Sequence, residues 1–449
     1  MNKLSQTLSI AILMALTLPA QAVSVLTLYQ QAKQSDPVYQ IANTERDAAK
    51  ARLEQTRSAL LPSAALASSL DKGWDKNAKD TGTNSGYKLS LDYDIYNRSR
   101  GIQIVQSDNA VEKSSANFIS AEFDLILRVA ERYFEVLGAV DNLVFSRASK
   151  QALHKQLEQS QQRFEVGLIA ITDVQESKSG YDLAVANEID AENLLNNAYE
   201  ALREIIGEYR KDLDLLKDDI TLPSPDPEDI EQWVDTALTQ NPQIAAVQFD
   251  VEIARDAINL RRSGHYPIIS IGASNSYSDR ENPLSKQHGM DNRIDLSLLL
   301  PLDLSGNVRA QTREAQLQYT QSLDRLEQQR RLVQRNTRSA YLNVMSDISK
   351  VAAFKQALIS SETAYRATLS GFDVGTRTSV DVLNSRQRLL EAQKNYALSR
   401  YTYILNSLRL KQSAGLLNEA DLEALQTWFQ TVNSNQSSAA IANKKMQAW

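Results

Sequence analysis

The chain contains two copies of one pattern. Phe164-x-Val166-Gly167, followed by Asp173-Val174, returns as Phe372-x-Val374-Gly375 and Asp381-Val382, an offset of 208 residues. Ala32, Pro37, Ala49, Arg57, Ser58 and Pro62 return as Ala237, Pro242, Ala254, Arg262, Ser263 and Pro267 at an offset of 205, and Tyr133-x-x-Val136 returns as Tyr341-x-x-Val344 at 208. A period this long is not that of a solenoid, whose units run to roughly 20 to 50 residues. It marks one duplicated half, so elements are expected in pairs and the chemistry is expected where the copies differ.

Helix is the dominant expectation. Val308 to Ser370 contains no Gly and no Pro over 63 residues, with apolar positions at helical spacing, and its counterpart from Ile102 to Val166 is interrupted only by Gly138. At about 1.5 Å per residue each would extend roughly 95 Å, a length that implies coiled-coil packing against neighbours. Each long helix ends at a glycine, Gly167 or Gly375, and a second helical stretch follows, giving two αα-hairpins. Asp36-Pro37 and Asn241-Pro242, a capping residue before proline, open a further pair of helices.

Between the shorter and the longer helix of each half the period changes to two. Tyr87, Leu89, Leu91, Tyr93 and Ile95 alternate with Lys88, Ser90, Asp92 and Asp94; Ile294, Leu296, Leu298, Leu300 and Leu302 alternate with Arg293, Asp295 and Ser297. Each half is therefore expected to hold a β-hairpin, with tips near 77–85 and 282–292. Residues 1–22, with Lys3, the apolar run Leu8 to Leu18 and Ala20-Gln21-Ala22, have the pattern of a secretory signal peptide. No later window is apolar enough for a spanning helix. Four amphipathic strands in an exported chain suit an outer-membrane barrel, but the smallest single-chain barrels need about eight, and an open edge is not tolerated in lipid. Several copies would have to close one barrel; from the strands alone, two soluble hairpins packed on helices fit equally well.

Other classes of chemistry find no support. The chain has no cysteine, and its three histidines, His154, His265 and His288, lie far apart without metal-ligand spacing. No zinc-protease, phosphate-loop or serine-nucleophile motif occurs. The net charge of −6, without a basic block, argues against a nucleic-acid partner. An enzyme, a cofactor and a metal centre are all unexpected.

Arg163-Phe-Glu-Val-Gly-Leu-Ile-Ala-Ile-Thr-Asp-Val174 and Gly371-Phe-Asp-Val-Gly-Thr-Arg-Thr-Ser-Val-Asp-Val-Leu383, set in two halves of helix, hairpin, long helix and helix, resemble the TolC family, outer-membrane channels of Gram-negative efflux and type I secretion systems. The resemblance runs from about Val25 to Phe429 and includes Tyr29-Gln-Gln-Ala32 and Asp47-Ala48-Ala49. It implies a mixed, mostly α fold: a trimeric 12-strand outer-membrane β-barrel, four strands per chain, continued by a 12-helix periplasmic α-barrel with an equatorial α/β belt. The expected domains are the signal at 1–22; a first repeat over 23–207 (helix 37–61, hairpin 62–97, long helix 102–166, helix 172–206); an equatorial linker at 208–232; a second repeat over 233–415 (helix 242–262, hairpin 267–304, long helix 308–370, helix 379–414); an equatorial helix in 416–432; and a flexible tail at 433–449.

The resemblance also assigns roles. Gly167, Leu168, Gly375 and Thr376 would lie at the periplasmic tips that meet an adaptor protein, itself linked to an inner-membrane pump or ABC exporter. At the closed end Thr172 and Asp173 would accept hydrogen bonds from Arg377, and Asp381 would form a threefold carboxylate ring open to block by cations. Two positions depart from the enterobacterial pattern. Phe372 stands where a tyrosine hydroxyl would bond Asp173, and Asn384 stands where a second ring aspartate would be. The expected function is a passive exit duct for multidrug efflux and type I secretion, gated at its periplasmic end. The rival is a non-conducting structural or adhesive coiled-coil protein of the outer membrane, in which strands would gather at one terminus rather than inside each half.

Overall fold

The computed structural model describes residues 23–73, 83–217, 220–282 and 285–430. The expected signal, the expected tail and most of the first hairpin tip lie outside the described residues. In chain order the elements are α1 (Val25–Ser35), α2 (Pro37–Ser58), β1 (Ser63–Lys72), β2 (Thr83–Asn97), α3 (Arg98–Glu165), α4 (Ile171–Ile206), β3 (Leu215–Leu216), α5 (Ile230–Gln240), α6 (Pro242–Arg262), a 3-10 turn (Ser263–His265), β4 (Ile268–Asn282), β5 (Ser285–Leu299), α7 (Asn307–Asp373), α8 (Ser379–Ala414), α9 (Glu419–Gln426) and β6 (Phe429–Gln430).

Several boundaries differ from the sequence expectation for identifiable reasons. The first helix of the repeat stops at Ser58 rather than 61, because Pro62 forces the residue before it out of the helical region and the chain turns through Leu60 N–H to Arg57 and Leu61 N–H to Ser58. The long helix begins at Arg98, with no linker after the strand. In the second hairpin Asn282 pairs with Ser285, so most of the tip expected at 282–292 is strand. Leu300, Leu302 and Leu304 lie beyond the last strand, next to Pro301, which has no N–H to give a ladder. Within 208–232, expected to be linker, α5 already begins at Ile230, and Phe429, expected in a helix, pairs with Leu216 in a small sheet.

The paired halves also share two helices that periodicity did not resolve. α1 and α5 are 11 residues each and carry side-chain caps, Ser24 Oγ accepting from Thr27 N–H (3.2 Å) and an Asp229 oxygen from Glu231 N–H (2.9 Å). Each ends on an extended residue, Asp36 or Asn241, immediately before the proline of the next helix.

Two compact units arise from this chain. One comprises the described parts of 1–41, 121–241 and 333–449. Its core sets Tyr133 edge-on to Phe134 and Phe429, with Tyr401 beside Phe134. The fully buried Tyr133 donates to the Asp214 carbonyl (2.7 Å), Tyr401 to the Asp141 carboxylate (2.7 Å), and Arg400 to the Lys217 carbonyl (2.7 Å). The first and third bonds fasten the 214–217 segment to α3 and α8, and the second ties those two helices to each other. Tyr133→Phe keeps the ring but removes the donor, and should destabilise by about 1–3 kcal/mol, read as a lowered thermal midpoint of the detergent-solubilised protein.

The second unit comprises 42–120 and 242–332 and contains the four-stranded sheet, in the order β1-β2-β4-β5, all antiparallel. Polar ties join its helices: Lys113 to Asp250 (2.7 Å), Asn109 to Asp256 (3.3 Å), and Arg57 to Asp108 (3.0 Å). Arg46 stacks over Phe118 at 4.4 Å. Among the described residues no helix is long and apolar enough to cross a membrane.

Candidate functional site

Both helical hairpin tips are built by the same cap. At the first, Gly167 N–H bonds Phe164 O (2.9 Å) and Leu168 N–H bonds Arg163 O (2.8 Å); at the second, Gly375 N–H bonds Phe372 O (3.0 Å) and Thr376 N–H bonds Gly371 O (2.8 Å). This pair of bonds needs a left-handed residue, and Gly167 and Gly375 supply it at φ 78° and 80°. The tips are apolar and exposed at Val166, Leu168, Ile171 and Val374.

Beyond the cap the two copies differ. α8 starts with a complete capping box: Thr378 Oγ1 accepts from Asp381 N–H (3.2 Å), while an Asp381 oxygen accepts from Thr378 N–H (2.9 Å) and from its hydroxyl (2.8 Å). α4 starts at Ala170, which has no side-chain acceptor. Only half the box forms, Asp173 accepting from Ala170 N–H (3.3 Å). The Thr378 N–H and hydroxyl, with a smaller contribution from the Arg377 charge, hold the Asp381 carboxyl below the usual carboxylate range. It is therefore an anion at neutral pH even before any cation approaches.

Arg377 is placed by a residue that sequence reading passed over. The Gly371 carbonyl accepts from Thr376 N–H, from Thr376 Oγ1 (3.0 Å) and from Arg377 N–H (3.2 Å), so the chain folds tightly back on the helix end. A Cβ at Gly371 would lie 2.8 Å from Arg377 Cγ. The corresponding residue of the first copy is Arg163. That mismatch was the available signal, and Thr378 against Ala170 was another.

Within one chain no hydrogen bond or ion pair joins Arg377 to Thr172 or Asp173 among the described residues; all three side chains are exposed. Phe372 is half-buried. Asp381 and the exposed Asn384 lie three residues apart on α8, one above the other on one helix face. Among the described residues no group of three or more His, Asp or Glu side chains is arranged to hold a metal ion.

The sheet has two unlike faces. Along one, cross-strand rows bring together Tyr87, Tyr277 and Met290; Leu91, Ala273 and Ile294; and Tyr93, Ile271 and Leu296. Along the other lie Lys88, Ser276 and Asp291; Ser90, Ser274 and Arg293; and Asp92, Gly272 and Asp295. A bulge between Asp94 and Tyr96 sets Ile95 aside and returns Tyr96 to the apolar rows, opposite Ile269 and thence Leu298. The apolar face is open, Leu66, Leu70, Ile294, Leu296 and Leu298 being 69–81% exposed. Edge strands β1 and β5 each pair on one side only, and every residue of 63–72 and 287–299 is exposed.

An apolar-out, polar-in sheet with alternating faces is the construction of an outer-membrane barrel wall, and here it is joined to long helices with glycine-capped tips. The chain belongs to the outer membrane efflux protein family, whose model matches residues 28–208 and 233–416. It is an outer-membrane protein of that transport family. The outer membrane protein TolC of Vibrio cholerae is 37% identical over 430 residues, covering 94% of this chain and 97% of that one. The alkaline protease secretion protein AprF of Pseudomonas aeruginosa is 29% identical, covering 96% and 92%. The fold matches the crystal structure of the Campylobacter jejuni CmeC outer membrane channel with a TM-score of 0.72 at 16% identity, over 90% of this chain and 88% of that one.

Proposed function

We propose that three copies close one barrel of twelve strands and form a passive exit duct, serving tripartite efflux and type I secretion. The observation that carries this reading is the pair of unpaired edges, β1 and β5, on a sheet whose apolar face is open. In hydrocarbon each unsatisfied backbone group costs several kcal/mol, so those edges need partners, and β5 of one copy against β1 of the next supplies them. The half-box at Ala170 and full box at Thr378 support unequal roles for the two hairpins, one receiving and one gating.

In this duct Arg377 of one hairpin reaches Thr172 and Asp173 of a receiving hairpin when the copies assemble, and holds the periplasmic end shut. The exposed tips at Gly167, Leu168, Gly375 and Thr376 meet a periplasmic adaptor, which links the duct to an inner-membrane pump or ABC exporter. Opening is an outward shift of the gating hairpins once these few polar ties are broken. With Phe372 unable to donate a hydroxyl bond, closure depends chiefly on Arg377.

Arg377→Ala should raise single-channel conductance in planar bilayers several-fold; a variant that stays at the resting level would remove Arg377 from the latch. Asn384→Asp adds three carboxylates a helix turn from the Asp381 ring, so multivalent cations should block at lower concentration, by about tenfold or more. Unchanged block would show that position 384 does not face the conducting path.

A further inference from the structure

The helix end of the sheet holds a concentration of cations that the duct reading does not use. Arg262 closes α6, His265 and Tyr266 follow in the turn to β4, and Arg309 and Arg313 occupy the first two turns of α7. Together with Thr312 and Gln316 they line one open cleft of about 750 Å³. None of Arg262, Arg309 and Arg313 has an ion-pair partner among the described residues. The neighbouring Asp303 carboxylate accepts from the backbone at Arg309 (3.3 Å), so it serves as the helix cap. Two arginines at a helix N-terminus sit where the backbone dipole already disfavours positive charge, so an anion is the natural complement of this cluster.

The cleft's depth relative to the apolar band identifies the anion's source. Tyr87 and Tyr277 stack at 6.1 Å near one end of that band, and Tyr96, with Tyr266 just beyond the strand end, marks the other. The β4 partners of Tyr87 and Tyr96, which are Tyr277 and Ile269, lie eight residues apart, about 27 Å along a strand, or roughly 21 Å of depth at a barrel's usual tilt, close to the roughly 25 Å of an outer-membrane apolar band. The cleft therefore begins where the hydrocarbon ends. Arg98 stacks on the Tyr266 ring at 4.6 Å, adding a further cation to the same level. Leu300, Leu302 and Leu304, 57%, 74% and 92% exposed, continue from the last strand toward α7 and offer acyl chains a path beside it.

We propose that this cleft binds the phosphate headgroup of an anionic phospholipid from the periplasmic leaflet, with Arg262, Arg309 and Arg313 contacting the phosphate oxygens and Tyr266 lying against the glycerol. The proposal rests on the membrane reading above, because only that reading puts lipid at this level. Its effect is to fix the depth of the barrel and to tether the first turns of α7 to the bilayer surface.

Native mass spectrometry of the detergent-solubilised, delipidated protein, offered phosphatidylglycerol and phosphatidylcholine in equal amounts, tests it. The expected result is at least a tenfold excess of retained phosphatidylglycerol, lost in the triple variant Arg262→Gln, Arg309→Gln, Arg313→Gln and kept when the same three become lysine. Equal retention of the two lipids, or an undiminished excess in the glutamine variant, would overturn the proposal. So would full displacement by millimolar inorganic phosphate, which would make this a site for a free anion. If the glutamine variant fails to assemble, the lysine variant and the salt dependence of wild-type retention decide, since binding that ignores salt contradicts a charge-built site. Flotation with phosphatidylcholine vesicles separates the two levels: protein that floats without headgroup preference refutes the lipid site alone, and protein that never floats refutes the membrane reading.

Discussion

Arg128→Ala should be among the most destabilising single changes in this chain, costing about 3–5 kcal/mol. The Asp36 side chain is only 3% exposed, and Arg128 grips it from two nitrogens, at 2.8 and 3.0 Å. The same carboxylate accepts from Tyr39 N–H at 2.7 Å, so it also caps α2 at the point where α1 ends and Pro37 begins the next helix. Removing the guanidinium leaves a buried anion beside a helix start. Burial alone pushes the Asp36 carboxyl up, but the Arg128 bonds and the Tyr39 N–H outweigh it and hold it below its ordinary value. A group whose folded pKa is depressed contributes stability above its unfolded value, near 3.9, and loses it as the pH falls through the folded one. The pair should thus be fully effective at neutral pH and fail only in strong acid. Thermal unfolding of wild type and variant at pH 7 and in acid checks both statements; an equal loss at both pH values would show that packing, not charge, is what Arg128 provides.

Gly86→Val should split the sheet. A Cβ at Gly86 would fall 2.4 Å from the Tyr277 carbonyl oxygen and 3.3 Å from Ser278 Cα, atoms of the backbone that cannot rotate away. Those residues lie on β4, and the β2–β4 ladder is where the hairpins of the two halves join. The cost is on the order of 3 kcal/mol, concentrated at that joint. The expected phenotype is loss of assembled, membrane-inserted protein. Gly101→Ala is the control: nothing lies within 4 Å of its Cβ, and the helix should gain about 0.5–1 kcal/mol. If Gly86→Val inserts and assembles at the wild-type level, the ladder is not required for barrel closure.

Much of this was legible because duplication writes each signal twice. Gly167 and Gly375, with identical caps, and the Asp36-Pro37 and Asn241-Pro242 starts were readable from local rules, since glycine geometry and proline's missing N–H act over a few residues. α1 and α5 were harder to see: at 11 residues each they are too short for periodicity to stand out. The bulge at Ile95 left no mark either, because its apolar side chain continues the alternation while the ladder slips by one. The tip expected at 282–292 was misplaced for a related reason. Of Ser285 to Asn292 only Met290 is a large apolar residue, so the stretch shows no alternation and resembles loop, yet its pairing with β4 carries it as strand.

The tip chemistry divides in the same way. Asp381, expected in a threefold carboxylate ring, is within one chain engaged by Thr378 in a box whose partner in the first copy, Ala170, has no side-chain oxygen. Gly371 was legible only by comparing the copies, as a glycine standing where Arg163 stands in the other. Contacts of Arg377 with Thr172 and Asp173 belong to the proposed assembly, which a single chain does not encode locally.

The mass of the detergent-solubilised protein, measured by light scattering with the detergent contribution subtracted, tests closure by copies most directly. Three chains are predicted, giving twelve strands in one wall. Two chains would give eight, still enough to close a small barrel, and would contradict the threefold Asp381 ring and the gate built on it. A single chain in detergent would contradict the account at its base, because four strands with β1 and β5 unpaired cannot close in a membrane.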